Sequence, residues 1–290
     1  MTIEFDKILI SSCETYHCYE GNPLYNNRFT AVLKFANIGL AAVKDNSGAY
    51  HIQINGKPAY KLRFDKSYGF YCNRAAVSID DEYFHIDING KRIYKTSYEW
   101  VGNYQENLCV VRKKDQYYHI DINGDPVYKE RYDYVGDFKD GIAVVYKSNS
   151  ATHINNKGEY IHNQWFKQLD IYHKGYARAE EISGWLHIDK TGNPLYESRY
   201  KNVEHFYNDL ARVETFDGNI FQINIKDQII HRLNKEDIRV SEAQLSSDMV
   251  DFWKIFIINA AIKLNIFEYL PSTTDGLVKN LKVPKDNLIR

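Results

Sequence analysis

A chain of 290 residues with 44% hydrophobic and 26% charged side chains has material for one large core or two medium ones, and its composition is not that of a disordered protein. A net charge of −1 provides no basic excess to follow a nucleic-acid backbone. The most apolar stretch, Met249 to Phe267, carries Asp251, Lys254 and Lys263, too many charges for a bilayer span, so neither nucleic acid nor a membrane is an expected partner.

The first ten residues, MTIEFDKILI, lack the basic region and apolar run of a secretory signal. Cys13, Cys18, Cys72 and Cys109 have no CxxC spacing, which argues against a zinc site. A cytoplasmic, reducing location fits this usage, with pairing of Cys13 and Cys18 left open by the sequence. Twenty-four tyrosines stand out, since a large ring with a hydrogen-bonding tip suits half-buried strand positions and recognition surfaces.

From about residue 10 to 230 the chain is periodic. Histidine recurs every 34 residues at 17, 51, 85, 119, 153 and 187, and Phe221 holds the next slot. Nineteen residues after each histidine from 51 onward stands Phe70, Tyr104, Phe138, Tyr172 or Phe206. A small series runs Ala41, Ala75, Cys109, Ala143, Ala177, Ala211. Three registers with one period define seven repeats of about 34 residues.

The clearest unit starts at His119. Alternation of His119 and Asp121 with Ile120 and Ile122 predicts a half-buried strand. Asn123-Gly124 follows, with Asn55-Gly56 and Asn89-Gly90 at the same slot, and suits the positive φ of a tight hairpin. Pro58, Pro126 and Pro194 open the next strand, where a missing N–H is tolerated, and Gly141 to Val145 supplies a third. The expected fold is mainly β: three-stranded meanders, each too small for its own core and stable only by stacking on its neighbours. Thirty-four residues are few for a four-stranded propeller blade, which favours an open twisted solenoid over the alternative, a seven-unit propeller-like ring.

These features resemble the WG repeat family. The copy Gly184-Trp185-Leu186-His187-Ile188-Asp189, completed by Phe206 and Ala211, fits best, although Leu186 replaces the name-giving glycine and Tyr83 or Tyr117 replaces the tryptophan elsewhere. The resemblance implies a binding scaffold and no particular chemistry.

Equally spaced histidines invite a metal hypothesis. Identical repeat positions lie one unit apart, however, too far for shared coordination in an open array, so His51, His85, His119, His153 and His187 are expected to bond backbone of a neighbouring unit. Arg63, Arg131 and Arg199 recur before an aromatic residue and form a candidate ligand surface for carboxylates or an acidic peptide; stacking on aromatic neighbours as scaffold is the weightier expectation. The chain contains no GxSxG, no Gly-x-Gly and no local nucleophile signature, so no catalytic, cofactor or metal residue is assigned within it.

Past residue 230 the pattern changes. Residues 231–247 read as a polar linker. From Asp248 the apolar residues Phe252, Trp253, Phe256, Ile257, Ala260, Ala261 and Leu264 fall at three- and four-residue steps and predict a helix with a broad apolar face. Pro271 ends it, and short helices carrying Leu277, Leu281 and Leu288 follow. This order, with Ala260-Ala261-Ile262-Lys263-Leu264, Ile266-Phe267-Glu268-Tyr269-Leu270 and Leu281-Lys282-Val283-Pro284, resembles the dimerisation and winged-helix domain of O-methyltransferases, with Asn265 where that family has glycine.

The resemblance implies that 248–290 is the truncated start of such a domain and that the seven named residues form a homodimer interface. It further implies a full-length parent that uses S-adenosylmethionine. The expected domains are therefore 1–230, the repeats, then the linker, then the helical start. The leading expectation is the N-terminal repeat scaffold of a methyltransferase, with a peptide or small-molecule substrate on the repeats. The alternative is a non-enzymatic interaction module with an oligomerising tail.

Overall fold

The computed structural model describes residues 3–233. The predicted helix with its interface residues Phe252, Trp253, Phe256, Ile257, Ala260, Ala261 and Leu264 therefore lies outside the described residues. Those described fall into two compact units, 3–216 with 223–228 and 217–222 with 229–233.

The first unit is built from antiparallel meanders. Sheet 1 comprises Leu9–Ile10, His17–Tyr19 and Asn22–Pro23. Sheet 2 comprises Ala31–Val32, Leu40–Asp45 and Gly48–Gln53, and sheet 3 Lys66–Tyr71, Arg74–Ile79 and Glu82–Ile86. Sheet 4 contains Trp100–Val101, Cys109–Lys113 and Gln116–Ile120; sheet 5 contains Tyr134–Val135, Ile142–Lys147 and Ser150–Asn155. Sheet 6 is Gln168–Leu169, Ala177–Glu181 and Gly184–Ile188. Asn202–Val203 then pairs with Leu210–Glu214. None of these sheets closes into a barrel, and the 3-10 turn Phe5–Lys7 is the single helical element among the described residues. In the second unit Arg232 lies over the Phe221 ring at 5.5 Å.

The strands correct the frame read from the sequence. A unit begun at His119 straddles two sheets, because His119 sits in the last strand of sheet 4 while Tyr134 and Val145 belong to sheet 5. The proline segment does not form a strand. It makes single bridges, Pro58 to Ile52, Pro126 to Ile120 and Pro194 to Ile188. Successive sheets are joined where the chain leaves one and enters the next: Tyr117 and Tyr132 exchange N–H···O bonds of 2.9 and 3.1 Å, two residues before Tyr134 starts sheet 5. The histidine strand is also not half-buried. Tyr118, His119 and Ile120 are all buried, since the next sheet covers the face that alternation assigns to solvent, and Ile122 lies beyond the strand in the turn.

The turns are of two kinds. In the turn after each histidine strand from His51 to His187 the positive φ falls on glycine alone, Gly124 having φ 88°, so the asparagine before Gly56, Gly90 and Gly124 needs no special conformation. Three tight two-residue hairpins lie elsewhere and lack glycine: Asp80-Asp81, Lys114-Asp115 and Ser148-Asn149 all have φ between 51° and 62°. A carboxylate from the preceding segment supports each of them. Asp65, Glu99 and Asp133 accept the N–H of Asp80, Lys114 and Ser148, each at 2.7 Å.

Candidate functional site

The three periodic series converge inside the protein. Each histidine ring packs against the aromatic residue of the second series, with centroids 4.5 Å apart for His51–Phe70, 4.7 Å for His85–Tyr104, 4.4 Å for His119–Phe138, 4.2 Å for His153–Tyr172 and 4.3 Å for His187–Phe206. Ala75, Ala143 and Ala177 are fully buried, as is Cys109 at the same slot.

Both imidazole nitrogens are occupied. Nε2 faces a backbone carbonyl entering the next sheet: Tyr68 at 2.7 Å from His51, Gly102 at 3.0 Å from His85, Gly136 at 2.9 Å from His119, Asp170 at 2.9 Å from His153 and Glu204 at 2.6 Å from His187. A carbonyl only accepts, so Nε2 carries the proton and Nδ1 accepts. The donor to Nδ1 is a tyrosine hydroxyl: Tyr60 for His51, Tyr94 for His85 at 2.6 Å, Tyr128 for His119 at 2.6 Å and Tyr196 for His187 at 2.6 Å. His17 repeats the pattern with Tyr25 and the Leu33 carbonyl. Burial lowers the pKa of His51, His85, His119, His153 and His187 to about 4, so each is neutral at pH 7. These tyrosines share the period of the histidines, the sequence signal that reveals them.

The arginines are also engaged within the chain. Arg131 Nη1 donates to the carbonyls of Tyr128, Lys129 and Glu130 at 3.0, 3.0 and 2.8 Å while its guanidinium covers the Tyr118 ring at 3.6 Å. Arg63 does the same with the carbonyls of Tyr60, Lys61 and Leu62 over Tyr50. Arg199 takes those of Tyr196, Glu197 and Ser198 and pairs with Glu181 at 2.7 Å. Arg28 is a further member, over Tyr16 at 3.9 Å. In the unit with Ser97 at this slot, Arg92 reaches the Lys95 carbonyl and the Phe84 ring from another position.

Open chemistry lies on the outward positions of the first strands. Trp100 and Tyr134 are 42% and 52% exposed, while Val101 and Val135 beside them are buried. Together with Tyr117 they line a groove of about 410 Å3 between sheets 4 and 5, which also holds Glu99, Arg112 and Asp137. Between sheets 2 and 3 a groove of about 290 Å3 presents Ala31, Ala49, Lys44 and Lys66, with Tyr68 as its one ring. The four cysteines are free, Cys13 and Cys18 included. No group of three metal-ligating side chains converges among the described residues, and no helix among them is long and apolar enough to cross a membrane.

Four stretches of the chain, 52–83, 86–117, 120–149 and 188–219, match the WG containing repeat. No curated protein matches the chain. Among solved structures it is similar to BamB from Moraxella catarrhalis, at 15% identity over 75% of this chain and 79% of that one, with a TM-score of 0.41. It is also similar to the computationally designed Ika8 protein, at 13% identity over 78% and 82% with a TM-score of 0.38. The third is Sqt1 of Saccharomyces cerevisiae, at 12% identity over 74% of each chain with a TM-score of 0.38.

Proposed function

We propose that this chain is a binding scaffold, a WG-type interaction module whose repeats present an outward surface to a partner. The observation that carries the reading is the division of labour among its polar side chains. Histidine, tyrosine and arginine at repeating positions spend their hydrogen bonds on the chain itself, whereas large aromatics stand exposed on the first strands of sheets 4 and 5. Exposed aromatics beside an otherwise satisfied framework are characteristic of recognition surfaces. Seven copies of one unit fit the same plan, because each histidine-to-carbonyl bond ties one sheet to the next.

A photo-crosslinking residue at Tyr134, in cells, is expected to yield a discrete adduct that Trp100→Asp abolishes and that the exposed position Lys129 does not yield. No discrete adduct from Tyr134 would defeat the scaffold reading.

A second reading rests on the sequence of 248–290 and its resemblance to the dimerisation segment of O-methyltransferases. It makes the scaffold part of an S-adenosylmethionine-dependent enzyme and a homodimer through its tail, with the repeats positioning a substrate. Replacing Phe256 and Ile257 by Asp is then expected to abolish self-association in analytical ultracentrifugation while the β signal persists. The described repeats contribute no glycine-rich nucleotide loop, so this chain is expected to bind S-adenosylmethionine no better than an unrelated protein in calorimetry.

A further inference from the structure

The groove between sheets 4 and 5 has a more specific chemistry than an exposed aromatic patch. The Trp100 and Tyr117 rings lie 6.5 Å apart and are tilted by 60°, and Tyr117 and Tyr134 lie 5.9 Å apart and are tilted by 56°. All three rings line the one groove. The face of an aromatic ring is its electronegative part and attracts a cation, most strongly one whose alkyl groups also gain apolar contact.

Charge selects the same guest. Arg112 is matched already, by Glu99 at 3.5 Å and by Asp115, and its guanidinium lies over the Tyr117 ring at 5.9 Å, which leaves Trp100 and Tyr134 as the open rings. Glu99 is further committed to the backbone N–H groups of Lys114 and Asp115. Asp137 has neither a hydrogen bond nor a counter-ion among the described residues, and dehydration by its surroundings holds its carboxyl above the ordinary range. A single open carboxylate beside the Trp100 and Tyr134 rings complements one positive charge on an apolar stem. An anion would meet that carboxylate, and a sugar would find one free polar partner where its hydroxyls need several.

The groove between sheets 2 and 3 has Ala31, Ala49 and two lysines, with Tyr68 the one ring in its lining. The aromatic lining between sheets 4 and 5 is therefore not a consequence of repeat packing alone.

We infer that the groove between sheets 4 and 5 is a binding site for an alkylammonium group, namely a lysine side chain, free or methylated, presented by a protein partner. The stem lies against Trp100 and Tyr134, and the ammonium sits beside Asp137. The inference rests on the scaffold reading and names the partner's chemistry.

The test is fluorine NMR of the full chain labelled with 5-fluorotryptophan, with Trp100→Phe assigning the Trp100 resonance and Trp165 as internal control. The probes are Nα-acetyl-lysine methylamide, its ε-trimethyl derivative, choline, and a neutral isostere with carbon in place of the quaternary nitrogen. Both lysine probes are expected to move the Trp100 resonance saturably and leave Trp165 in place. Asp137→Asn should weaken binding about five-fold, the scale of one cation contact at an open site, and Tyr134→Ala should abolish it with the β signal intact. An equal response to the neutral isostere, an unweakened Asp137→Asn variant, or no response to either lysine probe overturns the proposal. Choline binding more tightly than the trimethyl-lysine probe overturns the assignment to a protein side chain. A discrete Tyr134 cross-link that persists in any of these cases would keep the scaffold reading and reject only the ammonium site.

Discussion

The unit beginning at His119 and the one beginning at His153 hold the same internal bond by different means. In both, Nε2 donates to a carbonyl seventeen residues on, at 2.9 Å. Around that bond the partners differ. His119 receives its second bond from Tyr128, whereas His153 receives it from His162 Nε2 at 2.9 Å. The His162 Nδ1, near the Gln164 backbone but outside hydrogen-bond geometry, is buried and left unpaired. Tyr118 and Arg131 clamp the loop of the first unit; in the second, Thr152 Oγ1 donates to the Gln164 carbonyl at 2.8 Å, and Trp165 rests on Tyr160. The first unit matches the WG containing repeat over 120–149, and no match covers the second. The sheet-to-sheet bond is thus the constant, and the loop clamp is interchangeable.

Acid is the strongest way to break both units. The folded histidines titrate at about 4, and unfolded ones near 6.5. Between those limits the unfolded chain binds more protons, so stability is full above about pH 6.5, falls as pH drops, and has lost the whole contribution below about pH 4. Each histidine adds a slope of about 1.4 kcal/mol per pH unit in that window. Five act together, so circular dichroism should show a steep acid transition inside it, with proton uptake on unfolding near pH 5. A protein that keeps its β signal down to pH 4 would contradict the neutral-imidazole account.

Gly158→Ala should come next. Its φ is +81°, and a Cβ there would fall 2.5 Å from the Tyr128 ring. Backbone strain and overpacking together should cost about 2–4 kcal/mol in urea unfolding. A cost below ~1 kcal/mol would show that the ring yields freely.

Arg131→Ala removes a guanidinium stacked on Tyr118 and bonds to three carbonyls, with an expected loss of about 1–2 kcal/mol. Coupling to Tyr118→Leu in a double-mutant cycle checks that the two act as one clamp. Trp165→Ala in the other unit should cost less, since no carbonyl depends on it.

The smallest effect sharpens the comparison. His162→Tyr restores the hydroxyl donor found at Tyr128 and Tyr196, removes the unpaired Nδ1, and should stabilise by about 0.5–1 kcal/mol. It should also reduce the acid sensitivity of the His153 unit, because two imidazoles in contact oppose each other's protonation. Destabilisation would mean that the smaller ring is required beneath Gly192.

Sequence alone determined the period, the β class, the small buried series and the glycine turns, because each is a one-residue requirement repeated at a fixed interval. Ala75 and Ala143 are fully buried, and Gly124 combines a φ of 88° with the Tyr94 ring, which a Cβ would meet at 2.3 Å. The phase of the units was not legible: alternation shows which residues share a face, not which sheet covers it, so His119 read as half-exposed although the next sheet buries it. The glycine-free hairpins at Asp80, Lys114 and Ser148 depend on carboxylates about fifteen residues away, a contact with no local signature. The sequence favoured a scaffold role for Arg63, Arg131 and Arg199, but only the tertiary structure decided which carbonyls they hold and that Trp100, Tyr117 and Tyr134 meet across a groove. The reason is the same in both cases. What a side chain offers a partner is what remains after its own chain has taken hydrogen bonds and surface from it, and that remainder exists only once the sheets are packed.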